Sequence, residues 1–499
     1  MPKKVLVANR GEIAVRILRG IKEMGWTGVA VYSEADRGSL HVRLADEAYL
    51  IGAPAPVDSY LNIESLLETA RKSRAGYLHP GYGFLAENAG FAEAVTRAGL
   101  RFIGPSAEAI ASMGNKVEAR EMAIKAGVPV TPGTDALPMT GPKALKEAHR
   151  LGYPILVKAA FGGGGRGMRV CRSDEDLDSA IETAHSEAER AFGDGTLFLE
   201  KWLETSRHIE VQIMADDHGH VVAMGERECS IQRRHQKLIE ETPSMAVNET
   251  LRTQMMEAAV KLAKAIGYSG AGTVEFLLDS DGSFYFLEMN TRLQVEHPVT
   301  EMVTGFDLVK AQLIAAEGKK LPWGQKDIRP RGHAIEARIC AEDPFRDFAP
   351  QAGFLSHLRL SSGPGLRNDM GFTSFSEVPI YYDSLMGKVI AWGCDREEAR
   401  IRLLRALGEM IVAGVLTNIP FHKWCLSHRR FIAGDLSTRF VDEEYKPELF
   451  EDTKDETSLA IAAVLAAEKE RYLTFSTSHP VSHPPSPWAL ASRPGRGEA

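Results

Sequence analysis

Near the middle of the chain, the run Thr273-Val-Glu275-Phe-Leu-Leu-Asp-Ser-Asp281-Gly282-Ser-Phe-Tyr-Phe-Leu-Glu288-Met-Asn290 restricts the possible folds more than any other segment. Two apolar, aromatic stretches flank an Asp-Gly pair, the strongest short-range signature of a β-hairpin. With Asp281 and Gly282 as a two-residue turn, Ser280 faces Ser283 and Glu275 faces Glu288. Directly opposed side chains have Cβ atoms about 4.5–5.5 Å apart, where like charges destabilise the pair unless something intervenes. A shared proton or solvent exposure is one relief, and a cation between the carboxylates is the other. Asn290, two residues beyond Glu288, lies on the same strand face. Glu275, Glu288 and Asn290 then form an all-oxygen ligand set suited to a hard ion such as Mg²⁺ bridging nucleotide phosphates.

Two flanking stretches supply matching chemistry. Upstream, the strand-like Tyr153-Pro-Ile-Leu-Val-Lys158 is followed by a nearly side-chain-free loop, Gly162-Gly-Gly-Gly165-Arg166-Gly167, and a return strand over residues 168–171. Alone, a glycine run reads as a flexible linker and a strand lysine as a snorkelling edge residue. Together they suit a hairpin whose backbone N–H groups approach phosphate while Lys158 adds charge. The loop is not G-x-x-x-x-G-K-[ST]. Downstream, Thr291-Arg292-Leu-Gln294-Val-Glu296-His297-Pro298 sets a cation, an amide and a carboxylate at alternating positions. Arginine can hold a small planar anion bidentately, and a carboxylate beside it can take a proton.

A chain of 499 residues is too long for one core and favours about three domains. The first, residues 1–113, opens with an apolar run at 5–8, a turn at Asn9-Arg10-Gly11-Glu12, and helically spaced Ile13, Ile17, Leu18 and Ile21. Strands at 28–32 and 75–78 and helices at 66–73 and 91–98 continue the alternation, predicting a doubly wound α/β sheet with sites at strand C-termini. No G-x-G-x-x-G occurs, so a nicotinamide dinucleotide is not expected. A helix begins around residues 113–116, and the Pro/Gly-rich stretch 126–133 leads into the second domain, 114–330, with the loop-bearing segment at about 131–203. The third, 331–449, carries a helix near 396–409.

The net charge of −8 excludes an overall nucleic-acid-binding face. Five dispersed cysteines fit neither a zinc site nor a disulfide framework. The N-terminal apolar run is too short for a signal sequence, and no stretch reaches membrane-spanning length, so a cytoplasmic protein without membrane insertion is expected.

Taken together, Met113-Gly-Asn-Lys116, Lys158 with residues 162–167, Glu200-Lys201, the segment from Glu226 to Lys237, the segment from Glu288 to Pro298, and Arg338-Ile-Cys-Ala-Glu-Asp-Pro344 closely resemble the biotin carboxylase module of biotin-dependent carboxylases. The resemblance runs from about residue 3 to residue 449. It implies a mixed α/β and α+β ATP-grasp fold: an N-terminal Rossmann-like domain, a central ATP-grasp domain with a mobile glycine-rich lid, and a C-terminal domain. It implies ATP contacts from Lys116, Lys158, Gly164, Gly165, Glu200, Lys201, Leu203, His208, Gln232, His235, Lys237, Glu275 and Glu288, and Mg²⁺ or Mn²⁺ on Glu275, Glu288 and Asn290. Arg292, Gln294 and Val295 would hold bicarbonate, Glu296 would deprotonate it, and Arg338 would stabilise the biotin enolate. A homodimer is implied by resemblance alone.

The chain has no Ala-Met-Lys-Met biotinyl motif, and the nearest imitation is Leu385-Met-Gly-Lys388. Biotin would therefore come on a separate carrier protein, and a carboxyltransferase would complete the cycle. Two alternatives stay open at this level. One is another ATP-grasp ligase forming a carboxyphosphate or acyl phosphate, separated by biotin dependence of bicarbonate-stimulated ATP cleavage. The other is a catalytically silent nucleotide-binding scaffold, which would be expected to have lost one of Lys237, Glu288, Arg292, Glu296 or Arg338.

Beyond residue 449, residues 458–471 read as an Ala-rich helical extension, and 474–499, rich in Ser, Pro, His and Arg, lacks the apolar content to pack. Deleting residues 474–499 should leave activity and melting temperature nearly unchanged, and a drop of several degrees in a thermal melt would show that the segment docks.

Overall fold

The first strand, Lys4–Val7, lies at the centre of a five-stranded parallel sheet, flanked by Thr27–Ser33 and Glu47–Gly52 on one side and Tyr77–His79 and Arg101–Phe102 on the other. Burial on both faces explains the near-continuous apolar runs of the inner strands. The helix Gly11–Glu23 buries the predicted stripe of Ile13, Ile17, Leu18 and Ile21. This is the computed structural model of the chain, describing residues 3–134, 142–160 and 168–447. Up to Tyr445 these belong to one unit. The predicted extension and tail, and Gly164 and Gly165, lie outside the described residues.

Strand order reverses between Lys4–Val7 and Tyr77–His79, so the loops after these strands meet at the switch point where α/β sheets hold ligands. Asn9 Nδ2 joins them, donating to Pro80 O and Tyr82 O at 2.7 Å each. Gly81 accommodates the approach: its φ is +66°, and a Cβ there would meet Asn9 Nδ2 at 2.8 Å.

The second layer is an eight-stranded antiparallel sheet in the order Phe284–Asn290, Gly270–Asp279, Ser206–Ala215, Val221–Arg233, Gln236–Thr242, His333–Cys340, Leu385–Gly393, Leu366–Met370. It crosses residue 330: Gln236–Thr242 pairs with His333–Cys340, so side chains from both stretches share one face. Leu251, Met255 and Leu262 of the helix Glu249–Ala265 share one apolar core with Ile209, Val211 and Phe276, and Leu403 and Leu407 of Arg396–Glu409 share another with Ile335 and Val389. A smaller sheet of Met168–Cys171, Ile155–Ala159 and Leu197–Lys201 contains the predicted hairpin strands, with Lys158 opposite Met168. Among the described residues, no helix is long and apolar enough to cross a membrane.

The Asp281-Gly282 hairpin differs from expectation at its tip. Asp279 N donates to Ser283 O at 2.8 Å, making a three-residue loop of Ser280, Asp281 and Gly282, with Gly282 at φ +87°. Leu278 then faces Phe284 and Phe276 faces Phe286, one residue off the predicted register. A bulge at Leu287 restores it, so Glu275 does oppose Glu288 and Val274 opposes Met289. The reason is that Asp-Gly also suits the last two positions of a three-residue loop ending in a left-handed glycine.

Behind the first loop, Arg10 Nε and Nη2 donate to Asp36 at 2.6 and 2.8 Å, and Tyr60 Oη donates to the same carboxylate at 2.6 Å. Burial opposes the charge, yet these partners, Arg10 above all, hold the Asp36 carboxyl down at about 2. Because the folded value lies below the unfolded one, the stabilisation is full above the ordinary aspartate range and is lost as pH falls through about 2. Asp36→Asn should therefore cost about 2 kcal/mol at neutral pH, with a difference that shrinks under acid, as read by denaturant melts at several pH values.

Candidate active site

The open face of the large sheet carries alternating polar residues that are buried rather than solvated. His208, Glu210 and Gln212 alternate along Ser206–Ala215, with Arg227 opposite Glu210 on one side and Glu275 on the other. Lys237, from the next strand, projects into this group. Its Nζ donates to Glu210 Oε2 at 2.5 Å, Glu275 Oε1 at 2.8 Å and Glu296 Oε1 at 2.6 Å. Burial would lower the Lys237 ammonium, but the three carboxylates hold it well above its ordinary value.

Glu296 lies between two cations. Besides Lys237 it accepts from Arg338 Nη2 at 2.8 Å, while Arg338 Nε donates to Glu240 Oε1 at 2.5 Å. Burial alone would raise the Glu296 carboxyl; Lys237, Arg338 and Arg227 hold it well below the usual range. Arg292 fans out nearby: Nε to Glu87 at 2.8 Å, Nη1 to Gln294 Oε1 at 2.6 Å and Nη2 to Asn290 Oδ1 at 2.8 Å. Gln294 Nε2 closes the ring on Glu275 Oε1 at 3.0 Å, and Val295 O accepts from Lys388 Nζ at 2.7 Å. A cavity of about 470 Å³ is lined by Lys237, Arg292, Val295, Arg338, Tyr82 and Glu12, joining this sheet to both switch-point loops.

The counter-charge demanded by Glu275 comes partly from the chain. Glu275 Oε2 stands 2.8 Å from His208 Nε2 and Oε1 also accepts from Asn290 Nδ2 at 2.7 Å; against burial, Lys237 and then His208 keep the carboxyl low. Glu288 is half-buried and has no hydrogen bond or ion pair among the described residues. The two opposed carboxylates are hard oxygen donors of the kind that fits a divalent ion, whereas Asn290 turns its Nδ2 to Glu275 and its Oδ1 to Arg292.

Lys158 Nζ pairs with Glu200 Oε2 at 2.8 Å in the smaller sheet, and Lys201 Nζ donates to Gly152 O at 2.8 Å and Tyr153 O at 3.0 Å. Lys116 starts the helix Lys116–Lys125, capped by Asn115; burial lowers its ammonium against the pull of Glu288. Leu203, Gln232 and His235 take no part in the Lys237 network. Arg234 and His235 form the two-residue turn into Gln236–Thr242, both with positive φ, of +49° and +63°. Asp347 pairs with Arg233 and Arg234. Lys388 is fully buried, pairs with Glu12 Oε1 at 3.0 Å, and cannot present its amine for modification in this fold.

Sequence reasoning missed Glu210, Arg227, Glu240 and Glu87. For Glu210 a signal existed in the polar alternation His208-Ile-Glu210-Val-Gln212, but such alternation ordinarily marks a solvated face. Glu87 lies in the loop after the strand Tyr77–His79, at whose C-terminal end a site was expected.

The chain matches three family profiles: "Biotin carboxylase, N-terminal domain" over residues 1–110, "Carbamoyl-phosphate synthase L chain, ATP binding domain" over 115–323, and "Biotin carboxylase C-terminal domain" over 336–443. It is 52% identical to a biotin carboxylase of Nostoc over 443 residues, 89% of this chain and 99% of that protein. It is 49% identical to biotin carboxylase 1 of Bacillus subtilis, covering 89% and 98%. The biotin carboxylase domain dimer of Hydrogenobacter thermophilus 2-oxoglutarate carboxylase, solved with MgADP, ADP and bicarbonate, superposes with a TM-score of 0.86 at 46% identity, covering 89% and 98%. With the ATP-grasp architecture and the predicted polar cluster in place, the chain belongs to the biotin carboxylase family.

Proposed function

We propose that this chain carboxylates biotin at the expense of ATP, with bicarbonate as the carboxyl source and biotin delivered on a separate carrier protein. The observation that carries this reading is Glu296 held between Lys237 and Arg338 at the wall of a cavity that also receives Arg292. That is one carboxylate able to take a proton among three cations able to hold anions. The burial of Lys388 supports a carrier on another polypeptide. Residues 1–113, 114–330 and 331–449 serve as the N-terminal, ATP-grasp and C-terminal domains, with the lid at about 131–203. The assembly is a homodimer working with a carboxyltransferase; similarity to the Hydrogenobacter dimer supports the first.

Lys116, Lys158, Gly164, Gly165, Glu200, Lys201, Leu203, His208, Gln232, His235 and Lys237 contact the nucleotide. Glu275, Glu288 and Asn290 would hold Mg²⁺ or Mn²⁺, which supplies positive charge against the phosphates. Arg292, Gln294 and Val295 orient bicarbonate, and its oxygen attacks the γ-phosphate to give carboxyphosphate and ADP. Glu296 takes the bicarbonate proton. It is a weak base while both cations face it, and an incoming anion that engages Lys237 or Arg338 relieves that depression. Carboxyphosphate releases CO₂ and phosphate, the phosphate takes the N1′ proton of biotin, and Arg338 steadies the enolate charge as N1′ attacks CO₂.

Glu288→Gln should lower ATP turnover by about tenfold or more and raise the divalent-ion concentration needed for half-maximal rate. An unchanged metal dependence would discard the ligand assignment.

Glu296→Gln should suppress bicarbonate-dependent ATP cleavage while nucleotide still binds. Arg338→Gln should keep slow ATP cleavage but lose carboxyl transfer to biotin by a barrier increase of about 3 kcal/mol. Phosphate release and carboxybiotin measured side by side decide it: equal loss of both activities in both variants would refute the division of labour.

A further inference from the structure

Four pairs of glutamates stand directly opposed across strands of the large sheet. Three have a cation bonded to the pair or a ligand set for one: Lys237 bridges Glu210 and Glu275, Arg396 and Arg207 bond Glu241 and Glu228, and Glu275 with Glu288 offers the divalent site. The fourth pair, Glu240 and Glu336, does not follow this pattern. Arg338 bonds one oxygen of Glu240, and nothing bonds Glu336: both of its oxygens, and Glu240 Oε2, are buried without a hydrogen-bond partner among the described residues. Glu336 has no exposed surface.

The charges facing Glu336 are committed elsewhere. Lys388, on the adjoining strand, is held by Glu12 and Val295 O. Arg338, two residues along the same strand face, is held by Glu240 and Glu296. Glu296 adds negative charge, and the buried His297, from the helix packed on this face, is kept neutral by burial and by nearby Lys388. A buried carboxylate without a bonded cation is costly enough that a carboxyl in such a position takes up a proton.

We infer that Glu336 is a positioning residue of the carboxylation site: it keeps a proton and, by staying uncharged, leaves the Arg338 guanidinium to Glu240 and Glu296 at the cavity wall. Burial pushes the Glu336 carboxyl well above the usual range, against Lys388, with Glu240 and Glu296 adding to the rise. An ionised Glu336 would compete for Arg338 and draw it from the cavity. The consequence for carboxyl transfer rests on the role proposed for Arg338; the protonation itself does not.

The test uses the full chain with Mg²⁺, ATP, bicarbonate and free biotin. Glu336→Gln, which mimics the neutral acid, should keep carboxybiotin formed per ATP cleaved within about twofold of wild type at neutral pH. At alkaline pH the wild-type coupling should fall as Glu336 ionises, and that of E336Q should not. Thermal melts give a readout independent of activity. A carboxyl raised in the folded state loses stability as pH climbs from the ordinary glutamate range toward the folded value, so the melting-temperature advantage of E336Q should grow as pH rises above the ordinary glutamate range. E336Q losing coupling by about tenfold, failing to fold, or showing a pH-independent melting difference would overturn the inference. A melting difference that grows with pH alongside unchanged coupling in Arg338→Gln would instead leave the protonation standing and refute the role of Arg338.

Discussion

The Lys237 ammonium, bonded to three buried carboxylates, is the interaction on which the site depends. Glu210, Glu275 and Glu296 come from a strand, its neighbour and the start of a helix, and only a cation lets them converge without water. Lys237 therefore fixes where Glu275 stands relative to Glu288 and where Glu296 stands relative to Arg338. Glu275 and Glu296 share one ammonium, so charge introduced beside one carboxylate is felt at the other.

Much of this was legible in the sequence. The alternation of strands and helices at the start pointed to the parallel sheet, because buried parallel strands must be apolar throughout and their crossover helices must carry a stripe. The opposition of Glu275 and Glu288 was readable because pairing in a hairpin is local and period-two. Arg292, Gln294 and Glu296 could be grouped for the same reason: they are near neighbours along the chain.

What was not legible is long-range. Glu87 and Arg292 are 205 residues apart, and no local periodicity links them. Gln236–Thr242 and His333–Cys340 become neighbours only when the sheet forms, so the Glu240–Arg338 bond could not be counted from either segment. Burial of polar residues was the larger obstacle. The alternation at His208, Glu210 and Gln212 looks like that of a solvated strand, and only tertiary structure shows that cations, not water, complete it. The requirement of Glu275 for a positive partner was anticipated, but Lys237 and His208 supply part of what a metal alone was expected to supply.

The bulge at Leu287 means that the loop and the carboxylate pair are governed by different residues. A two-residue turn with regular pairing would set Glu275 against Glu288, and so does the three-residue loop followed by one extra residue. The tip can therefore lose a residue together with the bulge, or keep both, without rotating either carboxylate off the shared face. Over evolutionary time this hairpin can change length at its exposed end while the facing of Glu275 and Glu288 is inherited intact.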